Sequence, residues 1–334
     1  MSFSAPRLID LTGLFDDEAA FARVARELRA PCEQLGVFQV TGHGIPPEEL
    51  AEFGDAMRRL FGLAETEKQR VRRTRENAWG YFDRELTKNR PDWKEVFDYG
   101  AERDPADPDA RHSDGLNRWP EAAPELKPIL LRHHASCERI ALGLLRAISA
   151  SLGFERDRLD GFFAGHSSFV RLNHYPRCDE PAPPDADWFP ARGRLGVHHH
   201  TDAGALTILY QDEVAGLQVR CQDRFVLVEP VPGALTVNLG DMLQVWSNDR
   251  YRSPIHRVLA NAERARYSAP FFLNPRYDAV CEPLAASTGE PTRPKFRPIS
   301  WAHFRDRRSA GDFADYGAEI QIDDFRIQDH VRSA

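Results

Sequence analysis

Cysteine is scarce in this chain and none of it is paired by spacing. Cys32, Cys137, Cys178, Cys221 and Cys281 are odd in number, far apart and form no Cys-x-x-Cys. That argues against a disulfide framework or a zinc finger, and for free thiols in a reducing compartment. A metal would then have to be held by histidine and carboxylate. No apolar run approaches the roughly 18 residues of a membrane span, and no basic-then-apolar leader opens the chain, so the cytoplasm is the expected compartment. An excess of positive charge is also missing. At a net charge of −7 there is no general basic face for phosphate, and nucleic acid is not expected as a partner. Internal repeats and low-complexity segments are absent. With 42% hydrophobic and 28% charged residues over 334 positions, the composition is that of a folded protein able to bury a large core.

The first half reads as helices with a few strands. Residues 7–11 suit a short edge strand. A helix is predicted from Asp16 or Asp17, with Phe21, Val24, Ala25 and Leu28 at helical spacing. Residues 36–41 alternate as a strand and end in a Gly42-His-Gly turn, where His43 reads as structural; a second helix follows over 47–63. From Asn77 to Tyr99 the chain turns aromatic, with charges interleaved, as a pocket wall, a lid or an apolar seam would be. Residues 101–118, rich in Asp and Pro, read as an exposed loop. A long helix is predicted over 124–152, ended by Gly153, and His133 and His134 lie on it with no carboxylate in register.

The second half reads as strands. Alternating stretches recur at 169–175, 216–220, 225–228, 234–239, 242–246, 255–259 and 267–273, separated by turn residues, which predicts a sandwich or barrel. Near the end one helix is expected at 300–308, followed by a loose tail.

Chemistry concentrates in Gly196-Val-His-His-His-Thr-Asp202. In an extended strand, residues two apart share a face, so His198, His200 and Asp202 are predicted to point the same way. A solvated turn would give the same residues no role. His256 alternates with apolar neighbours in a later strand and can meet the pair across a double-layered sheet. Two imidazoles and a carboxylate leave half an octahedron open, the donor set of non-haem Fe(II) oxygenases. The same three groups could also hold four-coordinate zinc in a hydrolase, or serve a jelly-roll binding protein. Ten residues after His256, Arg266 and Ser268 share a strand face and suit a carboxylate, the guanidinium as a two-pronged donor and the hydroxyl as a third.

These motifs resemble the isopenicillin N synthase-like branch of the Fe(II)/2-oxoglutarate-dependent dioxygenases. The resemblance runs in order through Gly36-Val-Phe-Gln-Val-Thr-Gly-His-Gly-Ile-Pro46, Pro91-Asp-Trp-Lys-Glu-Val-Phe-Asp98, Asn117-Arg-Trp-Pro120 and Arg171-Leu-Asn-His-Tyr-Pro176. It continues through His200-Thr-Asp202, Gly216-Leu-Gln-Val219, Trp246-Ser-Asn-Asp-Arg-Tyr-Arg-Ser-Pro-Ile-His-Arg257 and Arg266-Tyr-Ser268. It implies a mixed α/β fold, a double-stranded β-helix (jelly-roll) core with N-terminal helices packed outside it. The division it implies is an N-terminal region at 1–120, a helical connection at 121–165, the core at 166–280 and a C-terminal extension at 281–334.

By the same resemblance His200, Asp202 and His256 are the iron ligands. Arg266, Ser268 and Tyr175 meet the distal carboxylate of 2-oxoglutarate, and Asn173 lies near its keto-acid end. His198 and His199 are not ligands in that pattern. The implied reaction uses Fe(II), 2-oxoglutarate and O2 to hydroxylate, desaturate or cyclise a small molecule, releasing succinate and CO2. Asp202 argues against halogenation, which needs the carboxylate's place vacant. Some relatives use no 2-oxoglutarate, and there the Arg-x-Ser pair grips a substrate carboxylate. For the substrate pocket the candidates are Tyr81, Phe82, Arg84, Phe97, Arg171 and Phe304. A monomer is expected.

Overall fold

The structure is a computed structural model that describes residues 5–74, 76–103, 115–285, 293–313, 315 and 317–328. The first half comprises β1 (Arg7–Asp10), α1 (Glu18–Gln34), β2 (Val37–Thr41), α2 (Pro47–Phe61), α3 (Glu65–Arg70), β3 (Gly80–Phe82), β4 (Leu86–Thr87), β5 (Arg90–Pro91), β6 (Glu95–Gly100) and α4 (Leu126–Ser151). The second comprises β7 (Phe169–Tyr175), β8 (Leu195–His200), β9 (Leu206–Gln211), β10 (Leu217–Cys221), β11 (Arg224–Leu227), β12 (Leu235–Leu239), α5 (Asp241–Trp246), β13 (His256–Leu259), β14 (Arg266–Leu273), β15 (Val280–Cys281), β16 (Ile299–Ser300) and α6 (Trp301–Phe313). The Asp/Pro-rich loop expected at 101–118 falls mostly on residues 104–114, outside the described residues, as does the tail from 329.

Local chemistry accounts for the elements. Asp17 caps α1, its carboxylate accepting from the Ala19 and Ala20 amides. α2 begins on a proline, whose missing N–H costs nothing there, and carries Glu48 and Glu49 in its first turn and Arg58 and Arg59 in its last. In β14 alternation is clean. Arg266, Ser268, Pro270 and Phe272 line a central cavity, while Ala269, Phe271 and Leu273 join the core on the other face.

Eight strands form one sheet in the order β1-β2-β12-β9-β14-β7-β6-β3, and four form another in the order β11-β10-β13-β8. On the outer face of the larger sheet α1, α2 and α4 bury Val24, Leu28, Phe53, Met57, Ile140, Leu144 and Ile148. Between the sheets lie Leu209, Leu217 and Val219, with Tyr175, Val197 and Val258 beside them. Apart from β4 and β5, which pair with each other, the strands of residues 1–120 are thus not a separate layer. β2 pairs with β12, and β6 with β7, so they widen the same sheet that carries the core.

One expected strand is a helix. Residues 242–246 alternate in sequence but fold as α5, with all six of its residues buried. When every face is covered, apolar residues fit either period, and alternation loses its meaning. The backbone decides instead: the amides of Gly240 and Asp241 bond the carbonyls of Ala205 and Asp202. α6 runs further than expected and is anchored by Trp301 and Phe304, both fully buried. Among the described residues no helix is long and apolar enough to cross a membrane.

Candidate active site

Three short segments deliver the donor set. His200 ends β8, Asp202 follows two residues later, and His256 opens β13, which pairs with β8 so that His256 lies opposite His200. One ligand atom from each lies within 4.8 Å of the others, and this is the cluster of metal-ligand type among the described residues. His200 Nε2 and His256 Nε2 stand 3.8 and 3.5 Å from Asp202 Oδ1. The other ring nitrogens fix the tautomers. His200 Nδ1 is 2.9 Å from the His198 carbonyl and His256 Nδ1 is 3.1 Å from that of Pro254. A carbonyl only accepts, so Nδ1 carries the proton and both Nε2 lone pairs face the carboxylate. Lone pairs and an anion turned on one another repel unless a cation sits among them. Burial, then His256, holds the pKa of His200 well below its ordinary value, which keeps that imidazole neutral. The second oxygen of Asp202 accepts from Thr207 Oγ1 at 2.6 Å. The residues fit a divalent ion.

Strict alternation fails here, and the failure explains the three histidines. Val258 lies opposite Val197 while His256 lies opposite His200, so β8 carries an extra residue between them. Val197 and His200 therefore face the cavity together. His198, expected on the face of His200, instead bonds Asp92 Oδ1 through its amide and Nδ1 at 3.0 and 3.1 Å. His199 is wedged between the rings of Trp188 and Phe189. These contacts of His198 and His199 anchor the strand. His43 is structural too, its Nε2 donating to the Gly233 carbonyl and its Nδ1 accepting from the Ile45 amide. Of the pair on α4, His134 does have a carboxylate in register, Glu138 at 3.6 Å, contrary to expectation.

The cavity at this cluster, about 530 Å³, lies between the sheets and includes Asn173, Tyr175, Arg266 and Ser268. Arg266 is buried. It donates to the Val214 carbonyl at 3.1 Å, to Gln211 Oε1 at 3.1 Å and to Ser268 Oγ at 3.2 Å. Ser268 Oγ reaches Tyr175 Oη at 3.4 Å, and Asn173 bonds the Ser268 carbonyl. No acidic side chain lies within 4.0 Å of Arg266 among the described residues. A buried guanidinium held only by neutral oxygens is a seat for an anion.

A second cavity of about 720 Å³ opens on the other side of His200 and Asp202. Its wall carries charges of which sequence reasoning named Arg171 alone. Glu85 accepts from Arg73, Lys94 and Arg171 at 3.0, 2.7 and 2.7 Å, and Asp98 from Arg73 and Arg171. Burial alone would raise Glu85, but Arg171, Lys94 and Arg73 hold it well below the usual carboxylate range. Arg305 and Arg308 enter the same wall from α6. In sequence they belong to an Arg-Asp-Arg-Arg run that looks like any solvated helix.

Of the six pocket candidates, Arg171 alone lines these cavities. Tyr81, Phe97 and Phe304 are core residues, and Tyr81 Oη donates to Glu95. Phe82 lies under the Arg73 guanidinium, and Arg84 is exposed. Their aromatic stretch is the seam at the sheet's edge, because β3 and β6 turn those side chains into the helix-covered core rather than toward the ion site.

Residues 166–275 match the model of the 2OG-Fe(II) oxygenase superfamily, and residues 7–122 match that of the N-terminal region of non-haem dioxygenases in morphine synthesis. A 2-oxoglutarate-Fe(II) type oxidoreductase, hxnY of Emericella nidulans, is 34% identical over 320 residues, spanning 90% of this chain and 88% of the relative. The chain belongs to the 2OG-Fe(II) oxygenase superfamily. Its fold is similar to that of rice dioxygenase for auxin oxidation, at 29% identity and a TM-score of 0.72 over 96% of this chain and all of the other. It is also similar to JOX2 in complex with 2OG, Fe and JA, at 28% identity and a TM-score of 0.74, covering 90% of this chain and 84% of that one. Like its superfamily, the chain is a non-haem Fe(II), 2-oxoglutarate-dependent oxygenase with a double-stranded β-helix core. It oxidises a small molecule with release of succinate and CO2. Of the readings the donor set left open, this oxygenase is the one that holds.

Proposed function

We propose that His200, Asp202 and His256 hold the ferrous ion, and that Arg266, Ser268 and Tyr175 receive the distal carboxylate of 2-oxoglutarate while Asn173 borders its keto-acid end. The observation that carries this is the pair of Nε2 lone pairs fixed on Asp202 at one end of a cavity that ends in a buried guanidinium hydrogen-bonded only to uncharged oxygens. When bound, the iron supplies the oxidising chemistry of the reaction; the protein binds, orients and excludes. Asp202, steadied by Thr207, keeps one oxygen for the ion. Arg266 and Ser268 set the cosubstrate's direction along β14. Phe272 and Val197 keep apolar surface beside the reacting centre.

We extend the reading to the isopenicillin N synthase-like branch, and to a cytoplasmic monomer acting on a small molecule rather than nucleic acid. The Arg-x-Ser spacing supports the first, and the net charge of −7 supports the last. The division at 120, 165 and 280 belongs to the same proposal. The test is anaerobic titration of the apoprotein with Fe(II) and then 2-oxoglutarate, followed by metal analysis. One iron per chain and a visible charge-transfer band are expected. His256→Ala should retain less than a tenth of the iron. Undiminished iron in that variant would remove the assignment.

A further inference from the structure

We propose that Arg308, reaching in from the C-terminal helix, is a positioning residue of the iron site: it fixes the peptide plane that leads into Asp202. This rests on the placement of iron given above. β8 ends at His200 and β9 begins at Leu206, so Asp202 sits on a connection where the ladder of the sheet has stopped. Its backbone polar groups must be held from elsewhere. The amides of Asp241, Met242 and Gly240, at the start of α5, take the carbonyls of Asp202, Gly204 and Ala205 at 2.8, 2.9 and 2.8 Å. The Thr201 carbonyl, between two of the three donors, is instead held by a side chain. Arg308 Nη2 donates to it at 2.6 Å.

That carbonyl lies in the plane shared by Thr201 and Asp202, and a peptide unit turns as one body. Fixing it fixes the direction from which the Asp202 carboxylate is presented, while Thr207 steadies the carboxylate itself at 2.6 Å. Arg308 is in turn braced. Its Nη1 donates to Gln321 Oε1 at 3.1 Å and to the Ile320 carbonyl at 3.4 Å. Its charge is answered by the buried Asp241, which lies in its field and also accepts from the Thr201 hydroxyl at 3.1 Å. A guanidinium so matched needs no anion from the cavity. What it offers is a directed, charge-assisted bond to the Thr201 carbonyl, and such bonds are strong. Seating α6 does not depend on it. At the other end of that helix Trp301 and Phe304 are fully buried, and Trp301 Nε1 donates to Ser167 Oγ at 3.0 Å.

The probe is Fe(II), bound anaerobically in competition with a ferrous chelator and then saturated with 2-oxoglutarate. Groups that orient metal ligands change metal affinity roughly 10- to 100-fold, so Arg308→Gln should weaken Fe(II) at least ten-fold. It should also shift the charge-transfer band, with circular dichroism unchanged at the assay temperature. Arg308→Lys, which returns a charged donor on a shorter arm, should fall between Arg308→Gln and the wild type in both affinity and band. Arg307→Gln, at an exposed neighbour on the same helix, should match the wild type. A smaller loss of affinity, or an unmoved band, in a folded Arg308→Gln overturns the proposal. So does an equal loss in Arg307→Gln, or no recovery in Arg308→Lys. Should Arg308→Gln not fold, Arg308→Lys decides. Weakened iron with a shifted band supports positioning; a wild-type affinity or band overturns it, and so does failure of both variants to fold, since the role is then structural. If the wild type binds no Fe(II), it is the assignment of the triad that fails.

Discussion

At position 266 a guanidinium is buried with a carbonyl, an amide oxygen and a hydroxyl around it and no acidic side chain within reach. Hydrogen bonds to a charged group contribute about 1.5–3 kcal/mol each way. Arg266→Gln is therefore expected to raise the Kd for 2-oxoglutarate roughly 10- to 150-fold, with iron content unchanged, as read by titrating the charge-transfer band. An unchanged Kd would mean that the carboxylate sits elsewhere. This pair was legible in sequence because Arg266 and Ser268 are two apart on a regular strand, where alternation holds. Arg308 and Lys94 were not: a helix face and a short polar stretch look the same whether they border solvent or a cavity.

Elements were legible where one face is wet and one is dry. The start of α1 was predicted at Asp16 or Asp17, and Asp17 caps it with bonds of 2.7 and 3.3 Å to the Ala19 and Ala20 amides. Asp17→Ala should lower stability by about 0.5–2 kcal/mol, seen as a lower denaturation midpoint with an unchanged slope; a midpoint unmoved by the change would show the cap to be idle. Legibility failed where both faces are dry. α5 is buried on every side, so its alternation carried no message. In β8 one extra residue shifts the phase, and neither propensity nor composition marks where a bulge falls. The bulge decides which histidine faces the cavity.

At the scale of the whole molecule, α4 buries two imidazoles against the sheet. His133 stacks on Phe53 at 3.5 Å, and His134 packs edge-on against Phe271. Burial, and then the neighbouring imidazole, pushes the pKa of His133 down to about 3. Burial, partly offset by Glu138, pushes that of His134 down to about 4. Both lie below the ordinary value of 6.5, so between these limits the unfolded chain binds protons that the fold refuses. The stability they permit is complete above pH 6.5 and is lost as pH falls toward 4, by up to about 1.4 kcal/mol per pH unit for each group. Urea denaturation from pH 7.5 to 5 should show this slope, and His134→Gln should flatten it whatever its effect at pH 7.5. An equal slope in both proteins would assign the acid sensitivity elsewhere.

The sequence by itself determined the chemistry on offer: a His-x-Asp, a distal histidine and an Arg-x-Ser, in order, on strands whose alternation is local and so readable residue by residue. Tertiary structure alone decided which groups meet. The bulge that turns His200 inward, the helix that seats Asp241 on the ligand segment, and the C-terminal helix that brings Arg308 to Thr201 each depend on pairing between segments far apart in the chain. Such pairing is set by how the whole core closes, and no local pattern encodes it.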